Sequence, residues 1–148
     1  MRGIVVALPA VLLLAAAAPR PDPARQEKEK LQGTWVVLQL LEGGQSPPAD
    51  VVEQIRLTFR GDKLLTRERR EKQPEEQTYK LDPTRNPKRI EITPAAGPNK
   101  GQPFPGIYEL EGDAMRICLA RPGQQRPTQF LSPRGTDLIL MVLKRAPR

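Results

Sequence analysis

Two stretches, "IRLTF-RGDK-LLTRER" from Ile55 and "GIYEL-EGDA-MRICLA" from Gly106, share one signature. Each sets Gly-Asp (Gly61-Asp62, Gly112-Asp113) between two runs in which apolar and polar residues alternate. Glycine adopts the positive φ that a two-residue hairpin turn demands, and a period of two marks a strand with one buried face. Each stretch therefore predicts an antiparallel pair. Further short strands are expected at "TWVVLQLL" (34–41), "QTYKL" (77–81), "KRIEIT" (88–93), "TQFLS" (128–132) and "DLILMVLKR" (137–145). No strand-helix alternation of the kind that builds a parallel sheet appears.

One short helix is expected after the first strand, in "SPPADVVEQ" (46–54). There Ser46 is placed to cap, Pro47 suits the first helical position, and Val51, Val52 and Ile55 form an apolar stripe. The fold class is thus all-β: an antiparallel up-and-down barrel of about eight strands. Alternation turns Ile55, Leu57 and Phe59 inward, with Tyr79 and Leu81, Ile90 and Ile92, Tyr108 and Leu110, and Met115, Ile117 and Leu119. Arg56, Lys80, Arg89, Glu91, Glu109 and Arg116 fall outside. The first and last strands are apolar on both faces and are neighbours in such a barrel, so their outer faces would make an apolar strip. The helix at 47–54, the segment before Leu31, or a partner is expected to cover it.

The N-terminus predicts an export signal over 1–17. Arg2 precedes an apolar run from Ile4 to Leu14, and small residues suit cleavage after Ala17. Pro9 interrupts that run and Arg20 follows it, against the roughly 20 apolar residues of a stable membrane span. Residues 18–30, rich in proline and charge, read as a linker with at most one short helical turn, leaving 31–148 as the barrel domain. Export leaves periplasm, cell surface and medium all open. Cys118 is the only cysteine, which excludes an intramolecular disulfide; in the strand "MRICLA" it reads as a small buried hydrophobe, with an intermolecular bridge or a reactive thiol as the alternative.

The formal net charge is +7 and the pI about 10.0. The bases are spread among acids rather than gathered on one helix. With one tryptophan, two tyrosines and three phenylalanines, little is available to stack on bases. Nucleic acid is therefore not expected as a partner. The charge reads as a solvated surface, with loose contact to acidic wall polymer or lipid head groups as the alternative.

There is no histidine, and the only serines are Ser46 and Ser132. Serine–histidine and cysteine–histidine catalysis and histidine metal sites are excluded. "GPNKGQ" carries Lys100 but lacks the pattern of a phosphate loop. Glu109 and Glu111 share a strand face, the outer one, and read as solvated charge. No catalytic residue, metal or cofactor is expected, and the chain is not expected to be an enzyme. A barrel of this size either holds a small apolar or amphipathic molecule against Leu57, Phe59, Tyr79, Tyr108 and Met115, with bases at the mouth, or is filled by those side chains. The alternative function is a protein-interaction or envelope-structural module, with another copy or an envelope protein on the apolar strip or the 94–106 loop.

The "LQGTW" of 31–35 resembles the entry signature of lipocalins. The resemblance implies that Gly33 turns the chain into the first strand and Trp35 plugs the closed end. It also implies a base from the end of the last strand, Lys144 or Arg145, over the indole. Arginine stacks better on an indole face, which favours Arg145. The longer series "LQGTW", "RLTFRGDK", "YKLDPTRNPKRIEITP", "GPNKGQ", "GIYELEGDAMRICLA" and "VLKR" closely resembles an uncharacterised lipocalin-like domain family abundant in planctomycete bacteria. It covers about 31–145 and implies fold and export. It implies no activity.

Overall fold

The computed structural model describes Gly3, residues 15–68 and residues 73–147. Most of the expected export signal lies outside the described residues. Eight antiparallel strands close into a barrel in simple chain order, β1 pairing with β8. They are β1 (Gly33–Glu42), β2 (Arg56–Arg60), β3 (Lys63–Arg67), β4 (Glu75–Asp82), β5 (Lys88–Pro94), β6 (Phe104–Glu111), β7 (Ala114–Leu119) and β8 (Ile139–Arg145). Among the described residues no helix is long and apolar enough to cross a membrane.

The two Gly-Asp turns join β2 to β3 and β6 to β7. Only their glycines, Gly61 and Gly112, take positive φ, at 59° and 57°. Glycine at the first central position is the type II′ pattern, whose twist matches that of the strands it joins. Short turns gather at one end of the barrel. Long connections, 43–55, 95–103 and 120–138, gather at the other, where β3 also ends and β4 begins.

Inside lie Trp35, Val37, Leu57, Phe59, Leu64, Ile90, Tyr108, Met115, Ile117 and Leu143, each all but fully buried. The doubly apolar β1 is explained by a bulge. Its register against β8 runs from Val37 opposite Leu143 to Gln39 opposite Val142, leaving Leu38 without a partner. One extra residue exchanges the two faces of a strand. Trp35 and Val37 face inward before the bulge and Leu40 does so after it, while Leu38 is turned out and 53% exposed.

The outer apolar strip is covered over β8 and the far end of β1, by neither segment expected to do so, while Leu38 of β1 stays exposed. The 120–138 connection lies over it: Ile107, Cys118 and Leu140 form a second cluster outside the barrel with Leu41 and Phe130. Arg126 pins the connection by donating to the carbonyls of Ile90 and Gly106. The buried Ser132 hydroxyl donates to the Leu138 carbonyl (2.7 Å) and accepts from the Gly44 amide (3.2 Å). The expected strand at 128–132 is accordingly irregular, because a closed barrel leaves no edge for another strand to join.

Helix α2 follows β1 but is shorter than expected, Ala49–Val52. Its N-cap is Pro48, and the Ser46 hydroxyl donates to the Pro47 carbonyl instead of capping. Val52 enters the core and Val51 stays exposed.

The segment expected as a linker is the largest correction. Pro23–Leu31 forms a nine-residue helix, here α1, capped by the Asp22 carboxylate, which accepts from the Ala24 amide at 3.1 Å. An Asp-Pro start followed by Ala, Arg, Gln, Glu and Lys has every local property of a helix. What composition hid is the pair Glu27 and Leu31, four residues apart on one face and both buried against the short-turn end of the barrel.

Candidate functional site

The two ends of the barrel differ in kind. At the short-turn end α1 forms a floor. Trp35, wholly buried, donates its indole N–H to the Leu31 carbonyl at 2.9 Å. The Arg145 guanidinium lies 4.4 Å over the indole ring and donates to the carbonyls of Lys30 (2.7 Å) and Gln32 (2.9 Å), the unpaired C-terminal groups of α1. Gly33, at φ 111°, makes the bend from α1 into β1. Gly33, Trp35 and Arg145 are thus together in one floor.

The two tyrosines belong to the same floor. The Tyr108 hydroxyl donates to Glu27 Oε2 at 2.7 Å, and Lys88 and Lys30 reach the same carboxylate at 3.1 and 3.2 Å. Tyr79 donates to the Gly61 carbonyl at 2.7 Å and accepts from Gln32. Burial pushes both phenols above their ordinary range, and for Tyr108 the neighbouring Glu27 charge adds to it. Phe59 packs edge-on to Tyr79, with ring centroids 5.0 Å apart.

These contacts correct the expected ligand set. Phe59, Tyr79, Tyr108 and Met115 are buried in the packed lower half, and of the residues expected to touch a ligand only Leu57 borders the cavity inside the barrel mouth, while Tyr79 and Tyr108 border depressions on the outer surface. That cavity, about 330 Å³, opens at the long-loop end. Leu40, Leu64, Ile92, Phe104, Leu119 and Met141 supply its apolar wall, from six strands. Phe104 falls within the expected 94–106 loop but begins β6, and Pro105 beside it precedes the first β6–β7 pair, Gly106 opposite Leu119, where its missing N–H costs no ladder bond.

The rim is not the basic ring expected. Arg121 stands among Glu42, Glu68 and Glu75, and its closest acid is Glu42 at 3.7 Å. A wider depression of about 610 Å³ beside α1 is walled by charged side chains such as Arg25, Lys28, Glu29 and Asp62, with Lys28 paired to Asp62. It offers no apolar enclosure.

Groups with catalytic potential have structural partners. Glu109 pairs with Arg116 across β6 and β7 at the surface. Among the described residues no three His, Cys, Asp or Glu side chains come together as metal ligands. Cys118 is fully buried, donates to the Leu131 carbonyl, and has its thiol pKa pushed up by burial. Its thiol is expected to resist a chromogenic disulfide reagent in the folded chain and to react fully in denaturant. Rapid native labelling would show instead that the 120–138 cover opens readily.

No protein-family profile, curated protein or solved structure matches the chain.

Proposed function

We propose that the chain is a non-enzymatic binding protein whose barrel mouth takes the apolar part of a small molecule. The observation that carries this is the division of the interior. The lower half is packed solid around Trp35, while the upper half retains a cavity of about 330 Å³ with an apolar wall. That volume stands at the small end of ligand pockets, which run from about 300 to 1,000 Å³. With Glu42, Glu68 and Glu75 near Arg121, the rim favours a neutral or mixed polar end over the acidic head group that the expected bases at the mouth would have met. Export, from the signal-like residues 1–17, and kinship with lipocalin-like domains, from the Gly-x-Trp entry, belong to the same proposal. The alternative, a protein docked on the strip of first and last strands, meets the 120–138 connection over β8 and the far end of β1, which leaves Leu38 as the one large apolar side chain of that strip exposed.

Native mass spectrometry of the chain, purified without detergent, tests the proposal together with an environment-sensitive apolar dye. Met141→Trp, which fills the cavity from β8, is expected to weaken the dye by roughly tenfold or more, about 1.4 kcal/mol. The melting transition should remain cooperative. Dye binding unchanged in Met141→Trp, with no adduct on the wild type, overturns the reading.

A further inference from the structure

The outer surface of the barrel divides into two halves by the way charges meet across strands. On β4 to β7 the register sets opposite charges face to face: Lys80 opposite Glu91, Asp82 opposite Arg89, and Glu109 opposite Arg116. On β2 and β3 it sets like charges face to face, Arg56 opposite Arg67 and Arg60 opposite Lys63. Directly opposed like charges destabilise a sheet, so folding does not account for this arrangement.

The second half extends across the barrel seam. Lys144 on β8 is opposite Val36 on β1, Val36 is opposite Arg56, and Arg56 is opposite Arg67, a single row over four strands. The outward positions of these strands carry Lys144, Arg56, Arg67, Arg60 and Lys63 and no acid. Only Lys63 has an acidic partner among the described residues, Glu76 on the adjoining strand.

Apolar side chains lie among these bases. Val36 and Leu65 occupy outward positions within the rows and are half-buried. Leu38, thrown outward by the bulge two residues past Val36, is 53% exposed, and Val51 on α2, which packs against β1, is 37% exposed. The face carries no aromatic ring. Trp35, Phe59, Tyr79, Phe104 and Tyr108 are buried in the barrel and Phe130, on the 120–138 connection, packs against Ile107, Cys118 and Leu140 on another face, so stacking on a nucleic acid has no platform here.

We propose that the outer face of β8, β1, β2 and β3 is a docking surface for an anionic lipid bilayer. The bases meet the head groups, and Leu38 and Val51 enter the interfacial layer. A bilayer fits better than a soluble polyanion because it alone rewards both the uncompensated charge and the exposed apolar side chains. The proposal is independent of whether the cavity holds a ligand.

Co-sedimentation of the full chain with vesicles tests it, using phosphatidylcholine alone and phosphatidylcholine with roughly a third phosphatidylglycerol. Binding is expected only to the anionic vesicles and is expected to fall with added salt. Each cation removed should cost about fivefold in affinity, so Arg60→Gln, Arg67→Gln and Lys144→Gln together should cost about a hundredfold. Lys80→Gln with Arg89→Gln, on the self-neutralising half, should change little. Leu38→Ser should weaken binding even where salt has already screened the charges, and Met141→Trp should leave it intact. Equal affinity for both vesicle types, or no response to the triple change in a chain that still melts cooperatively, overturns the proposal. So does retention on immobilised polyglutamate without binding to vesicles, which would assign the face to an acidic polymer.

Discussion

Trp35→Ala is expected to cost the barrel about 3–5 kcal/mol, the range for removing a fully buried large aromatic side chain. Set against a total stability of about 5–15 kcal/mol for a natural domain, that loss brings the chain close to unfolding. The placement of the ring argues for the upper part of the range. Trp35 is wholly buried, its N–H satisfies the Leu31 carbonyl, and Arg145 rests on its face while holding the carbonyls of Lys30 and Gln32. Its removal leaves a cavity, leaves the Leu31 carbonyl without its donor and takes away the ring on which Arg145 rests. Trp35→Phe keeps a ring but gives up the N–H bond, and should cost clearly less. Urea unfolding followed by circular dichroism checks both, since the only tryptophan cannot then report on itself. A loss below about 1 kcal/mol for the alanine change, in the range of exposed positions, would mean that the floor is held elsewhere.

The fold class is legible because the middle strands alternate without interruption. Leu57 and Phe59, Ile90 and Ile92, and Met115, Ile117 and Leu119 are inward in sequence and in structure, and Gly61-Asp62 and Gly112-Asp113 fix two of the pairings. Legibility fails where a face is decided by something other than period. Leu38 looks like any other apolar residue of β1, and only the register against β8 reveals the bulge that turns it outward. Glu27 looks like a solvated charge within "RQEKEK", because its burial depends on Tyr108, 81 positions away. The expected ligand residues do face inward, but alternation carries no information about height along the barrel. Connection length carries that information: short turns mark the packed end and long connections the open one. That criterion separates Phe59, Tyr79, Tyr108 and Met115 from Leu40, Ile92 and Met141.

Removing the Glu27 carboxylate tests whether α1 is a structural floor or an appendage. Its donors are unequal: Lys30 and Lys88 are 65% and 36% exposed at the side chain, so their ion pairs are screened and contribute little. The bond from Tyr108 is buried at both ends, and a hydrogen bond to a charged group contributes about 1.5–3 kcal/mol. Glu27→Ala should therefore cost about 2–3 kcal/mol, since it also leaves the buried Tyr108 hydroxyl without an acceptor. A double-mutant cycle of Glu27→Gln with Tyr108→Phe should show strong coupling between the two. The pH dependence follows from the same contacts. Burial alone would raise the Glu27 pKa, but the bonds from Tyr108, Lys88 and Lys30 outweigh it and hold the group below its ordinary 4.5. A carboxyl whose folded pKa is depressed contributes stability that is fully present above the unfolded value and is lost as pH falls through the folded one. The stability gap between wild type and Glu27→Gln should accordingly be constant near neutrality and narrow below 4.5, as urea midpoints at successive pH values would report. A gap that stayed constant through that acid range would show that the Glu27 charge does not hold α1 against the barrel, and that the floor rests on Leu31 and Trp35 alone.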